Sequence, residues 1–197
     1  MAPNDVYLVT FEGFADWEPA HALAELRRSG RRRVVVVGFT RDAIVSMGGL
    51  RVVPDVSLDE VSPEQIGLLL LPGGDLWASG QYPEPVLSSL LNRLEAAGTP
   101  IAAICGATLA LAHAGLLNDR RHTSTVPGDL NLVPGYSGAP HYVTEPAVTD
   151  RGVITASGLA SVDFARHVFA QEGVFSKTDE ALWFEMYKSG RLPGTAA

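Results

Sequence analysis

The residue best suited to chemistry in this chain is a single thiol. Cys105 is the only cysteine; it closes an apolar run, Ile101-Ala-Ala-Ile104, and is followed at once by Gly106-Ala-Thr-Leu-Ala-Leu-Ala-His113. The run reads as a buried strand and the Ala/Leu segment as a helix ending near Gly115. A strand, a sharp turn and a helix in that order lift the turn residue out of a sheet and set its side chain at the positive end of the helix. A thiol there is expected to ionise more readily. Ala103 and Ala107, two positions to either side, have the small side chains that a tight nucleophile elbow needs. The plain alternative is an inert buried cysteine, since free cysteine is among the most buried residue types. The strand-turn-helix setting favours a reactive one.

A thiolate that attacks a carbonyl or nitrile carbon needs N–H donors aimed at the negative charge that develops. Pro72-Gly-Gly74 halts the run Leu68-Leu-Leu-Leu71, and a Gly-Gly turn presents its backbone without side-chain obstruction, so Gly74 and Gly106 are the candidate donors. No Gly-Lys-Ser/Thr follows, so the turn is not a phosphate-binding loop. Asp16 and Glu18 lie at another strand-to-helix junction. A carboxyl group near a thiolate can be protonated by that proximity and act as an acid or base, although acidic residues also favour first helical turns for their own sake. Of the five histidines, His122 is best placed by chain order to assist, and Asp16 is the second accessory candidate. Phe14, Trp17 and Trp77 flank these loops and are expected to line an apolar substrate pocket. No clustered Cys/His spacing suggests a metal, and no cofactor is expected.

These residues need a scaffold, and the chain supplies one. Val6-Tyr-Leu-Val-Thr10 and Arg33-Val-Val-Val-Val-Gly-Phe39 read as strands covered on both faces, as in parallel sheets. Between them a helix is expected from near Trp17, with Pro19 in its first turn and Gly30 beyond its end. Met47-Gly-Gly49 between two short apolar pieces signals a hairpin, and so does Asp150-Arg-Gly152. Asp55 to Gln65 reads as an irregular polar connection. Helical spacing of Val86, Leu87, Leu90, Leu91 and Leu94 predicts a helix over 83–97. Asn118 to Tyr142 is loop-rich, with one short extended piece near 121–124. Two helices close the chain, after Ser161 and from Ser176-Lys-Thr-Asp179, which resembles a capping box. Alternating strands and helices imply one α/β domain over 1–197 with a doubly wound, mainly parallel sheet, whose ligands bind at the carboxyl ends of the strands.

Composition narrows the partners. With 46% hydrophobic residues in 197 the chain has ample core, and 15 basic against 22 acidic residues give a formal charge of -7. That balance disfavours nucleic acid and anionic membrane and points to a small-molecule substrate. The uncharged stretch Ile101 to Leu117 is interrupted by Gly106, His113 and Gly115 and so reads as strand and helix rather than as a membrane span. One cysteine, together with a start lacking the layout of a signal peptide, leads to the expectation of a cytoplasmic protein.

These elements in this order resemble the DJ-1/PfpI family of the class I glutamine amidotransferase-like superfamily. The motifs that carry the resemblance are Asp16-Trp-Glu18, Leu71-Pro-Gly-Gly74, Ala102-Ala-Ile-Cys-Gly-Ala-Thr108 with Ala112-His-Ala-Gly-Leu-Leu117, and Val153-Ile-Thr-Ala-Ser-Gly158 before Val162-Asp-Phe-Ala165. The resemblance implies a flavodoxin-like fold, a homodimer, Cys105 as elbow nucleophile, Glu18 as the carboxylic acid bonded to it, and Gly74 with Gly106 as oxyanion donors. It also implies a choice of functions: a cysteine-dependent hydrolase, hydratase or glyoxalase-like enzyme acting on a small electrophile, a redox or stress protein whose cysteine is oxidised, or a glutamine amidotransferase-like amidase. Three departures narrow it. Gly106 stands where PfpI-type peptidases have a histidine, and no histidine begins the His-x-Glu pair of the amidotransferases. Thr125 takes the place of the histidine that DJ-1-type members have near the thiol.

Overall fold

The computed structural model describes residues 5–30 and 32–192. Its centre is a seven-stranded sheet built from β1 (Asp5–Thr10), β2 (Val34–Gly38), β5 (Val56–Ser57), β6 (Ile66–Leu71), β7 (Ile101–Ile104), β8 (Ala147–Asp150) and β9 (Val153–Ala156) in the order β5-β2-β1-β6-β7-β9-β8. All neighbours are parallel except β8, which runs antiparallel to β9. The hairpin between these two turns through Arg151 and Gly152 at φ of 47° and 78°, the left-handed pair that a tight two-residue turn requires. A second hairpin, β3 (Ile44–Val45) with β4 (Arg51–Val52), stands apart from the main sheet.

The apolar runs behave as two-faced strands. In β6, Leu69 and Leu71 pack with Leu87, Leu91 and Leu94 of α3 (Glu84–Ala96) and with α4 (Thr108–His113). Leu68 and Leu70 turn to the other face, where α1 (Ala20–Arg28), α6 (Ser161–Glu172) and α7 (Lys177–Ser189) bring Leu26, Phe164, Phe169 and Trp183. Covering both faces excludes water from the ladder and makes these strands continuously apolar instead of alternating. The chain steps outward from β1 through β2 to β5, then returns to lay β6 on the other side of β1. The reversal opens a crevice beyond the carboxyl ends of β1 and β6, where such sheets bind ligands.

Three expectations are adjusted. Helix α1 starts at Ala20 and not near Trp17, with Pro19 at its cap; residues 16–19 form a turn, and the Glu18 N–H donates back to the Ala15 carbonyl at 3.3 Å. The polar connection 55–65 contains β5 and two 3-10 turns, and the Ser57 N–H and hydroxyl both donate to Glu60. The extended piece near 121–124 reduces to an isolated bridge between His122 and Tyr142, while the short helices α2 (Leu76–Ser79) and α5 (Pro127–Leu130) had no periodic signal, being too brief to show one. Ser176 caps α7 as its sequence suggests, accepting the Asp179 N–H at 3.1 Å. Among the described residues no helix is long and apolar enough to cross a membrane.

Leu69 is fully buried on a strand with neighbours on both sides. Leu69→Ala should lower unfolding free energy by roughly 2–5 kcal/mol in urea titration, the cost of lost burial plus an unfilled cavity. A loss below about 1 kcal/mol would show that the two layers close over the gap.

Candidate active site

Strand β7 ends at Ile104 in extended geometry, and the next residue turns sharply: Cys105 has φ of 60°, left-handed for a residue with a side chain. Such a conformation costs on the order of 1–3 kcal/mol and persists only where the surroundings enforce it. The chain then passes through a 3-10 turn, Cys105–Ala107, into α4. The Thr108 hydroxyl donates to the Cys105 carbonyl at 2.8 Å, and Ser124 Oγ lies 2.9 Å from the same hydroxyl oxygen, so two side chains brace the turn from behind.

Three further loops close around the thiol. The first follows β1: Ala15 N–H donates to the Gly73 carbonyl at 2.9 Å, drawing the loop 11–18 against the loop after β6. Glu18, only 2% exposed, then receives the Gly73 N–H on Oε2 at 2.6 Å and is hydrogen bonded to Cys105. The second loop, 72–75, presses Gly73 onto the cysteine; a Cβ there would lie 2.6 Å from Cys105 Cβ. The third follows β9, where a Cβ on Gly158 would lie 2.7 Å from Cys105 Sγ and 2.9 Å from Glu18 Oε1. The Gly158 N–H donates to Thr125 Oγ1 at 2.7 Å, leaving the Thr125 hydroxyl hydrogen for the sulfur. The Gly106 N–H is the sulfur's other donor.

The electrostatics of this pair differ from the sequence expectation. Burial pushes the Glu18 carboxyl above its usual range, opposed by the Gly73 N–H and the bond to Cys105. Burial also pushes the Cys105 thiol up, the Glu18 charge adds to this, and the Thr125 hydroxyl and Gly106 N–H pull it down. Burial and the neighbouring carboxyl thus lead the influences on the thiol, ahead of the Gly106 N–H at the turn into α4. Two acids that each resist ionisation beside the other titrate as a pair, with one negative charge and one proton between them.

Cys105 is partly exposed, at the floor of a cavity of about 230 Å³ whose lining includes Trp17, Glu18, Met47, Gly74, Gly106, Leu109 and Thr125. Gly74 and Gly106 sit side by side, the position of a Gly106 Cβ lying 3.2 Å from the Gly74 carbonyl oxygen. Of the three aromatic candidates only Trp17 reaches the cavity, half-exposed at its rim. Phe14 is core, edge-on to Phe11, and Trp77 is buried behind Gly106 with its indole N–H on the Pro72 carbonyl at 2.8 Å. Both hold loops in place instead of meeting a ligand. Asp16 points away from the thiol and accepts the Ser46 hydroxyl at 2.6 Å, fastening the β3–β4 hairpin that brings Met47 to the cavity. His122 is also withdrawn: it is fully buried, Nδ1 lies 2.8 Å from the Arg120 carbonyl and Nε2 2.8 Å from the Tyr136 hydroxyl, and burial lowers its pKa. Sequence reasoning missed Gly73 and Gly158 as contacts. A glycine in each of two loops that follow strands was the available signal, but glycines also end strands for reasons unrelated to a site.

Fold and pocket together define a doubly wound α/β protein with a strained cysteine at a strand-turn-helix elbow. The chain belongs to the DJ-1/PfpI family, whose model matches residues 4–171. It is 40% identical over 198 residues to a Bacillus subtilis protein named "uncharacterized protease YoaZ", covering 96% of this chain and 93% of that one. A protein named deglycase TK1284 from Thermococcus kodakarensis is 32% identical over 121 residues, 61% of this chain and 72% of its own. Among solved structures, a DJ-1 superfamily protein from Agrobacterium tumefaciens superposes with a TM-score of 0.88 at 35% identity, covering 95% of this chain and all of that one.

Two measurements probe the pair. In the native protein burial and the Glu18 charge hold the thiol up, so the acid limb of Cys105 alkylation should lie above that of a free thiol at about 8.5. Glu18→Gln removes the charge that opposes the thiolate, so the limb should move down; an upward move would show that the carboxyl instead takes up the thiol's proton. Gly158→Ala places a methyl against sulfur and carboxyl, which should slow alkylation at least tenfold and cost roughly 1–3 kcal/mol of stability. Native alkylation rates in that variant would mean the loop yields freely.

Proposed function

We propose that the protein is a cysteine-dependent enzyme that adds the Cys105 thiolate to the electrophilic carbon of a small carbonyl substrate. The observation that carries this reading is the contact of one thiol with a buried carboxyl group on one side and with the Gly106 N–H and the Thr125 hydroxyl on the other, at the floor of a cavity large enough for only a small molecule. The shared proton rests on Glu18 when the charge is on sulfur. Attack forms a C–S bond and moves the carbonyl π electrons onto oxygen. The Gly74 and Gly106 N–H groups then lie at hand for that oxyanion, as Gly106 passes from sulfur to the new charge. Glu18 gives its proton to the oxygen, and recovers it when the adduct breaks down.

The name of the deglycase relative supports carbonyl chemistry, while the relative named a protease does not carry its name across easily. A Cys–His dyad needs a ring within reach of the sulfur, and among the described residues no histidine lines the cavity. The redox alternative keeps one observation in its favour: the partly exposed sulfur is already bonded to an N–H and an O–H donor, which would also serve a sulfenate oxygen.

Assay with simple α-oxoaldehydes tests the proposal. Cys105→Ser should lose at least about 10³-fold in turnover while keeping native circular dichroism, and Glu18→Gln should lose about 10²–10⁴-fold. Equal turnover by native and Cys105→Ser protein sinks the proposal. No turnover by the native protein, with Cys105 gaining oxygen at low peroxide, would favour the redox reading instead.

A further inference from the structure

The rim of the cavity has a composition that the nucleophile and its carboxyl do not require. Asp75, just before α2, and Asp129, in the first turn of α5, both line it and are both exposed. Asp75 makes no side-chain cap hydrogen bond to its helix. Neither carboxylate has an ion-pair partner among the described residues, although ten other ion pairs are formed there. Among the described residues no lysine, arginine or histidine lines the cavity. The indole of Trp17 is half-exposed at the same rim, and an aromatic face attracts cations.

From these observations we infer that Asp75 and Asp129 select substrates by charge, admitting neutral or cationic electrophiles to Cys105 and turning away those that carry a carboxylate, sulfonate or phosphate. The inference rests on the reading of Cys105 as the reacting group. An anion entering this cavity meets two uncompensated carboxylates and finds no positive side chain to replace its lost water. A cation meets two carboxylates and an aromatic face. Because both aspartates are solvent-exposed, their effect is a bias in approach and in encounter, sensitive to salt, and not a tight ion pair.

The test uses two methanethiosulfonate reagents of similar size, one ending in trimethylammonium and the other in sulfonate. In each, the Cys105 thiolate attacks the thiol sulfur of the reagent, the new S–S bond forms as the S–SO₂ bond breaks, and methanesulfinate leaves with the electron pair. Only one cysteine is present, so intact mass follows a single site. Rates are divided by those of each reagent with 2-mercaptoethanol. The corrected cation-to-anion ratio should be well above one in the native protein and fall about tenfold in Asp75→Asn/Asp129→Asn, as expected for two unit charges at cavity distances in a water-like dielectric. It should also shrink in molar salt. The control, Asp59→Asn/Glu185→Gln, makes the same change in net charge at exposed positions outside the cavity lining, and should keep the native ratio within about twofold. A ratio unchanged in the Asp75/Asp129 variant, or lowered equally by the control, overturns the inference. Since the reagents need no turnover, a native protein that shows the ratio but converts no carbonyl compound fails the enzyme reading alone. One that converts them with the ratio unmoved fails charge selection alone.

Discussion

A left-handed cysteine at the end of a parallel strand is the constraint around which the other loops are arranged. At φ of 60° the Cys105 side chain rises between the loops that follow β6 and β9, and both loops come so close that neither has room for a Cβ at the point of contact. Gly73 and Gly158 are therefore glycines for space and not for conformational freedom, since neither has a positive φ. The same closeness puts the Gly73 N–H within 2.6 Å of Glu18, and the Gly158 N–H within 2.7 Å of Thr125. One turn thus fixes a carboxyl on one side of the sulfur and a hydroxyl donor on the other.

The arrangement places two acids where water is scarce: burial opposes ionisation of both, the Glu18 charge opposes it further in the thiol, and the bond from Cys105 eases it in the carboxyl. Left alone, a buried carboxylate is a liability. Here it is held by a backbone N–H and shares its proton with a neighbouring sulfur, so the pair needs to support only one charge. That is a usable state for nucleophilic addition, in which negative charge must leave sulfur for the substrate oxygen and a proton must follow. In the proposed addition the Gly106 N–H needs little reorganisation, because the turn that carries it is fixed between β7 and α4.

The loops around the pocket depend on one another more than on the sheet. The β3–β4 hairpin is tied to the loop after β1 by Gly13 N–H to the Val45 carbonyl, Met47 N–H to the Phe14 carbonyl, and Ser46 to Asp16. Buried Phe11, Trp77 and Tyr82 form an aromatic group beneath with the partly buried Phe39, Phe11 and Trp77 meeting edge-on at 5.0 Å between ring centres. Residues such as Phe14, Trp77 and Asp16 thus act on the pocket only by holding its walls.

Much of this was legible in the residues. Near-continuous apolar runs such as Val34–Val37 and Leu68–Leu71 mark strands covered on both faces, and small residues flanking a lone cysteine between a strand and a helix mark an elbow, because both patterns are imposed by local sterics and burial. Chain order alone also put Glu18, Gly74 and Cys105 at the same edge of the sheet. Direction was not legible. Whether Trp17 or Trp77 faces the pocket, whether Asp16 or Glu18 turns inward, and whether His122 reaches the sulfur depend on turns of a few residues between distant strands, and sequence carries no periodic signal over such lengths. The protonation of Cys105 is of the same kind: a sequence shows the helix that follows, while the burial and the carboxyl that push the thiol up come from the loops after β1 and β6, brought beside β7 only when the sheet is assembled.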